Sequence, residues 1–138
     1  MKNDYGKLMK AALNARENSY APYSGFAVGA ALLCKDGSIL TGCNIENAAF
    51  SPTVCAERVA LFAAVSSGKR EFAAIAVAGA PIEKTPEEAC APCGVCRQVL
   101  SEFCSQESFD VVLGHSAESF TVYKLGELLP LAFSGKLL

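Results

Sequence analysis

The sequence predicts an α/β fold, a three-layer α/β/α sandwich around a mixed five-stranded sheet. Apolar segments of strand length alternate with segments of helical spacing, and they run in the order α-β-β-α-β-α-β-β. At 138 residues the chain fits a single domain, residues 1–138, with no repeat, low-complexity tract or linker to divide it.

Each element has its own signal. Residues 7–18 place Leu8, Ala11, Ala12 and Ala15 at helical spacing, then meet Tyr20-Ala21-Pro22-Tyr23, where Pro22 disfavours helix. A helix followed by a loop is expected. Phe26–Cys34 and Ile39–Cys43 are apolar strands about Lys35-Asp36-Gly37-Ser38, whose Asp-Gly pair supplies the positive φ of a hairpin turn. After Pro52 and Thr53, residues 55–66 carry Val59, Leu61, Phe62, Ala63 and Val65. They are apolar nearly all round and stop before Gly68, which predicts a buried helix. Residues 72–78 suit an interior strand, and 81–92 form a polar loop with three prolines. A third helix begins near Cys93, with Val95, Val99, Leu100 and Phe103 on one face; 109–113 and 119–123 read as the last two strands.

Bulk properties exclude several functions. A net charge of −2 and a pI near 5.4, without any run of lysine or arginine, offer no footprint for a phosphate backbone, so no nucleic-acid partner is expected. Met1 to Lys7 lacks an apolar signal core, and no stretch approaches the ~20 residues of a membrane span. A cytoplasmic protein without a membrane partner is expected. A hydrophobic share of 51% and a mean hydropathy of +0.28 are high for so small a chain, which points to apolar surface buried between subunits. In that compartment seven cysteines, an odd number, read as metal ligands or reactive thiols before disulfides.

The chemical signals are Cys55-Ala56-Glu57 at one predicted helix start and Pro92-Cys93-Gly94-Val95-Cys96 at another. A C-x-x-C pair at a helix N-terminus turns both sulfurs to one side, where the helix dipole lowers thiol pKa. With Cys55 from the other helix, three thiolates leave one tetrahedral position on Zn²⁺ open, as in catalytic rather than structural sites. Such an ion lowers the pKa of bound water from about 16 to near 7. Glu57, two residues from a ligand, is placed to carry that water's proton, and its short arm makes it a poor fourth ligand. Three thiolates leave Zn²⁺ at a formal −1, and Arg58 or Arg97, each on the helical face of the ligand it follows, can donate to a sulfur.

Other readings compete. Cys90 with Cys93 and Cys96 could supply three local ligands and Cys55 close a structural site, although Cys90 lies on the loop side of Pro92. A zinc-stabilised interaction module would leave Glu57 as a solvated helix residue, and a redox dithiol would need a metal-free C-x-x-C. Cys34, Cys43 and Cys104 sit among apolar residues and read as core fillers, and His115 as a loop residue.

Four segments in this order resemble the small homotetrameric cytidine deaminases over nearly the whole chain. They are Tyr20-Ala21-Pro22-Tyr23-Ser24 with Phe26-Ala27-Val28-Gly29-Ala30, Asn44-Ile45-Glu46-Asn47-Ala48-Ala49-Phe50, Cys55-Ala56-Glu57-Arg58, and Pro92-Cys93-Gly94-Val95-Cys96-Arg97-Gln98. The resemblance implies one zinc per chain and hydrolysis of cytidine, with deoxycytidine beside it, to uridine and ammonia in pyrimidine salvage. Glu57 would protonate N3 and then the departing amine. It further implies that Asn44 and Glu46 hydrogen-bond the ribose hydroxyls, that Phe26 packs on the nucleoside, and that the backbone at Ala56 reads the pyrimidine edge. In the implied homotetramer Ala48, Phe50 and Phe133 complete a neighbour's pocket; Phe50 stands where many relatives carry Tyr. A related deaminase acting on blasticidin S is the nearest alternative, and Asn44-x-Glu46, suited to an unmodified ribose, argues against it. The carboxylate of Glu46 also predicts nucleosides over nucleotides, because it repels a phosphate.

Overall fold

Side chains that alternate along Phe26–Cys34, strand β1, go to two different cores. Ala30, Leu32 and Cys34 face one, Ala31 and Leu33 the other. Such a strand, apolar on both faces, needs cover on both, and the computed structural model, which describes residues 5–138, supplies it. The reading of Met1 to Asp4 lies outside the described residues.

The elements are helix α1 (Tyr5–Ala15), a 3-10 turn (Arg16–Asn18), β1, β2 (Ile39–Cys43), α2 (Ala56–Ser66), β3 (Phe72–Pro81), α3 (Gly94–Phe103), β4 (Asp110–Gly114), β5 (Phe120–Lys124), α4 (Leu125–Leu128) and a final 3-10 turn (Gly135–Leu137). The five strands form one mixed sheet in the order β2-β1-β3-β4-β5, with β3 and β4 parallel and the other pairs antiparallel. The expected sandwich and strand count are therefore observed.

On one face α1 lays Tyr5, Leu8, Met9 and Ala12 against Ala31, Ala74, Ala76 and Val112. On the other, Ala56, Ala60, Leu61 and Ala64 of α2 and Leu100 of α3 meet Leu32, Ile75, Val77 and Val111. Alanines dominate the α1 side of β3, so that helix can approach the sheet closely. The β1–β2 hairpin closes as its Asp-Gly signal predicts: Gly37 takes φ 92° and Asp36 Oδ1 accepts from Ser38 N at 2.9 Å.

Two expectations are corrected and one element is added. The helix expected to be buried all round buries one stripe only, and Phe62 is 47% exposed, because a single sheet covers a single helix face. Strand β3 runs on to Pro81, where it still pairs with Phe26, beyond the expected end at residue 78. The short α4 was not foreseen: four residues make about one turn, too few for a periodic signal. It is held by buried Leu125 and by Glu127 Oε1 accepting from Lys124 N at 2.8 Å.

Candidate metal centre

Cys55 and Cys93 are the N-caps of α2 and α3, and both have extended backbone (ψ 155° and 167°) before their helices begin. This places each thiol beside the positive end of a helix dipole. One turn into α3, Cys96 is fully buried, and its backbone N–H donates to Cys93 Sγ at 3.4 Å. The two helix starts converge, so that the sulfurs of Cys55, Cys93 and Cys96 lie within 4.8 Å of one another. Cys55 Sγ is 3.8 Å from Cys93 Sγ, which is 3.4 Å from Cys96 Sγ. Tetrahedral bonds of about 2.3 Å would put thiolates about 3.8 Å apart, so the spacing fits one zinc ion.

Electrostatics support a cation at this point. A hydrogen bond from Cys96, helped by Arg58 and Cys93, holds the Cys55 thiol well below its ordinary value of 9.0, and the bond to Cys55 together with burial holds Cys96 above it. Crowded thiols that share protons in this way give them up together only when a positive ion repays their repulsion. Of the two candidate arginines, Arg58 has its Nη2 3.3 Å from Cys55 Sγ. Its Nε is buried with no acceptor among the described residues. Arg97 corrects the other expectation: its Nε donates to Pro92 O at 2.8 Å and its Nη1 to Leu128 O at 2.9 Å, tying the loop before Cys93 to α4. The sequence offered both by helical spacing, and only the packing of α4 separates them.

Glu57, in the first turn of α2, is 4% exposed and is not one of the clustered ligands. Burial, reinforced by the nearby Cys55 charge, raises its carboxyl from 4.5 to about 7, a value at which it can both take and give a proton near neutrality.

A cleft of about 550 Å³ is lined by Phe26 at the head of β1, by Gly79, Ala80 and Pro81 at the end of β3, by Lys84 and Thr85, and by Glu87 to Cys90 in the loop that leads to Cys93. Burial, then the charges of Glu57 and Cys55, push the Cys90 thiol up to about 11, so Cys90 lines the cleft as a neutral group and stands outside the ligand cluster. Asn44 is buried and spent on β1: Nδ2 donates to Phe26 O at 2.8 Å and Oδ1 accepts from Val28 N at 2.9 Å. One Nδ2 hydrogen remains to it. Glu46 accepts from Tyr23 N and Ser24 N, each at 3.0 Å, and from Ser24 Oγ. It borders a second depression of about 340 Å³ with Tyr23, Ser24, Phe50 and Thr53.

Residues 2–112 match the model of the cytidine and deoxycytidylate deaminase zinc-binding region. The chain belongs to this family. Among cytidine deaminases it is 47% identical to that of Halalkalibacterium halodurans over 96% of both chains. It is 49% identical to that of Sporosarcina psychrophila over 95% of this chain and 92% of the relative. The crystal structure of cytidine deaminase from Burkholderia pseudomallei superposes with a TM-score of 0.82 at 48% identity, covering 92% of this chain and 97% of that one. Membership of a zinc-binding deaminase family removes the metal-free dithiol reading. Among the described residues no helix is long and apolar enough to cross a membrane.

The remaining expected residues do not gather at the thiols in the single chain. Ala48 is exposed in a turn; Phe50 is 69% exposed, with φ 61° and its ring edge-on to Tyr23 at 6.0 Å; Phe133 is 57% exposed on the C-terminal segment. Cys34 and Cys104 are buried fillers as expected, whereas Cys43 is only half-buried. His115 lies in the β4–β5 connection, where Nε2 meets Ser119 Oγ at 3.1 Å. Sequence reasoning missed Ser24 as the partner of Glu46 and Arg16 as a donor to the carbonyls of Ala27, Ala80, Pro81 and Lys84, because these partners are far apart in the sequence.

Proposed function

We propose that the chain hydrolyses cytidine to uridine and ammonia, with one zinc ion held by Cys55, Cys93 and Cys96 and with Glu57 as the proton carrier. The observation that carries this is a buried carboxyl raised to about 7 two residues from one of three converging thiols; Cys90, three residues before Cys93, lines a cleft of nucleoside size.

Zinc, when bound, supplies a Lewis acid that makes water nucleophilic at neutral pH. The chain does the rest. Glu57 accepts the proton lost by the attacking water and passes it to N3 of the base, then takes the proton of the new C4 hydroxyl as the carbonyl forms and delivers it to the departing amine. Its burial keeps that carboxyl from being levelled by solvent. Arg58 donates to Cys55 and offsets the excess thiolate charge. Phe26 packs against the nucleoside, the backbone at Ala56 reads the pyrimidine edge, and the remaining Nδ2 hydrogen of Asn44 with the Glu46 carboxylate meets the ribose hydroxyls.

A homotetramer of single-domain chains, with Ala48, Phe50 and Phe133 closing a neighbour's cleft, is supported by the exposure of Phe50, Phe62, Val95 and Phe133. Seven cysteines with no disulfide among the described residues fit a cytoplasmic enzyme. Use of 2′-deoxycytidine and a place in pyrimidine salvage belong to the same proposal.

Loss of the cytidine absorbance with release of ammonia tests it, measured before and after removal of zinc by a chelator and again after zinc is returned. No turnover by the zinc-loaded protein, or blasticidin S consumed in preference to cytidine, would overturn it.

A further inference from the structure

Arg16 stands on the 3-10 turn after α1, and its guanidinium donates to backbone carbonyls on three stretches of chain. Nε reaches Ala27 O at 2.9 Å; Nη2 reaches Ala80 O at 3.0 Å, Pro81 O at 2.8 Å and Lys84 O at 2.9 Å. Among the described residues it makes no ion pair, so its charge is met by carbonyl dipoles.

Its place follows from a glycine. A Cβ on Gly29 would lie 2.0 Å from Ala12 O and 2.6 Å from Arg16 N, so only glycine lets the end of α1 rest directly on β1. That contact brings Arg16 to the seam where β1 begins and β3 ends, with Ala27 paired to Ala80 and Phe26 to Pro81. Past Pro81 the backbone is held by Ile82 N donating to Gly25 O at 2.8 Å and Lys84 N to Pro81 O at 3.0 Å, and Arg16 adds donors to Ala80 O, Pro81 O and Lys84 O. A planar fork of five N–H groups can serve several of them at once, which the compact ammonium of lysine cannot.

The β3 side of the same seam lines the cleft. Ala80, Pro81 and Lys84, whose carbonyls Arg16 holds, line the cleft together with Phe26; the fourth acceptor, Ala27, is the residue after Phe26, and Arg16 itself lies behind this wall, in a separate depression with Ala27 and Ile82. The far end of the loop is fastened separately, by Arg97 to Pro92 O and by Cys93 capping α3. The cleft wall can therefore loosen without disturbing the thiols.

We infer that Arg16 is a positioning residue for the nucleoside cleft, bolting residues 81–84 to the head of β1 and so setting the gap that Phe26 faces. The inference rests on the cleft receiving the nucleoside, as proposed above. Arg16 touches no reacting atom, so its loss should weaken binding of substrate and transition state alike.

The test compares wild type, Arg16→Ala and Arg16→Lys as zinc-loaded protein, reading zinc content, amide hydrogen exchange and cytidine kinetics. Exchange at residues 82–90 should quicken about tenfold while β3 and β4 stay protected. KM should rise about tenfold, with kcat within about twofold of wild type. Zinc should stay at the wild-type level, and Arg16→Lys should fall between. Unchanged exchange at residues 82–90, an unchanged KM, or zinc lost in step with activity would each overturn the inference. Should Arg16→Ala fail to fold, the same three measurements on Arg16→Lys decide in the same way. A wild type that does not turn over cytidine would sink the functional reading instead, and hydrogen exchange would still decide whether Arg16 holds the loop.

Discussion

Arg58 Nη2 lies 3.3 Å from Cys55 Sγ, three residues along the chain from the thiol to which it donates. The side chain reaches back over the N-terminal turn of α2, as long helical side chains do, and sets a fixed positive charge against the sulfur cluster. Arg58→Ala should therefore weaken zinc binding about 10–100-fold, read by competition with a chromogenic chelator. Arg97→Ala should instead lower thermal stability while leaving zinc affinity near wild type, since its bonds go to Pro92 and Leu128. Equal zinc affinity in wild type and Arg58→Ala would refute this role.

Replacing Cys55, Cys93 or Cys96 by Ser should abolish stoichiometric zinc, because three ligands are the minimum for a tight site. Cys90→Ser and Cys34→Ser should retain the metal, as neither sulfur joins the cluster. Metal analysis of the purified variants decides, and full zinc occupancy in all three ligand variants would sink the assignment.

Glu57→Gln should keep zinc and the fold yet lose about 10²–10⁴-fold in kcat, since an amide of the same shape fills the pocket but cannot carry protons. The contrary result is zinc lost in proportion to activity, which would make Glu57 a ligand.

Glu46→Ala should lower kcat/KM for cytidine without changing zinc content, through both loss of the proposed ribose contact and the release of Tyr23 N, Ser24 N and Ser24 Oγ from their acceptor. Wild type should use cytidine far better than cytidine monophosphate, because an ionised Glu46 repels phosphate. Equal efficiency on both substrates, or an unaffected variant, would end this reading.

Tyr5 Oη donates to Asp110 Oδ2 at 2.5 Å, and Lys124 Nζ to Asp110 Oδ1 at 2.6 Å, joining α1 to β4 and β5. Burial first, then the bond to Asp110 and its charge, raise the phenol above its ordinary value of 10.0. A raised pKa means that the protonated form is favoured in the fold, so this stability is complete below pH 10 and is lost as pH climbs beyond it. Tyr5→Phe should cost about 1–3 kcal/mol at neutral pH. The gap in melting temperature from wild type should narrow above pH 10; a constant gap would refute the linkage.

Local signals in the sequence were sufficient for the five strands and three long helices, though not for the short α4 or the end of β3, and for singling out the thiols of Cys55, Cys93 and Cys96. Alternating apolar residues specify strands because neighbouring side chains point to opposite faces, and Asp36-Gly37 specifies a hairpin because few residues accept a positive φ. Cys93-x-x-Cys96 and Cys55-x-Glu57 are legible for the same reason, since one helical turn sets how close such side chains can come. What depends on contacts between distant segments was not legible. That Arg58 serves a sulfur and Arg97 a loop, that Glu46 holds Ser24, that Asn44 spans Phe26 and Val28, and that Arg16 bolts Lys84 to the sheet were decided only when α1, α2 and α3 packed on it. Their partners are backbone groups and turns common to every chain, which carry no pattern of their own, and which of them meet depends on how closely the layers approach.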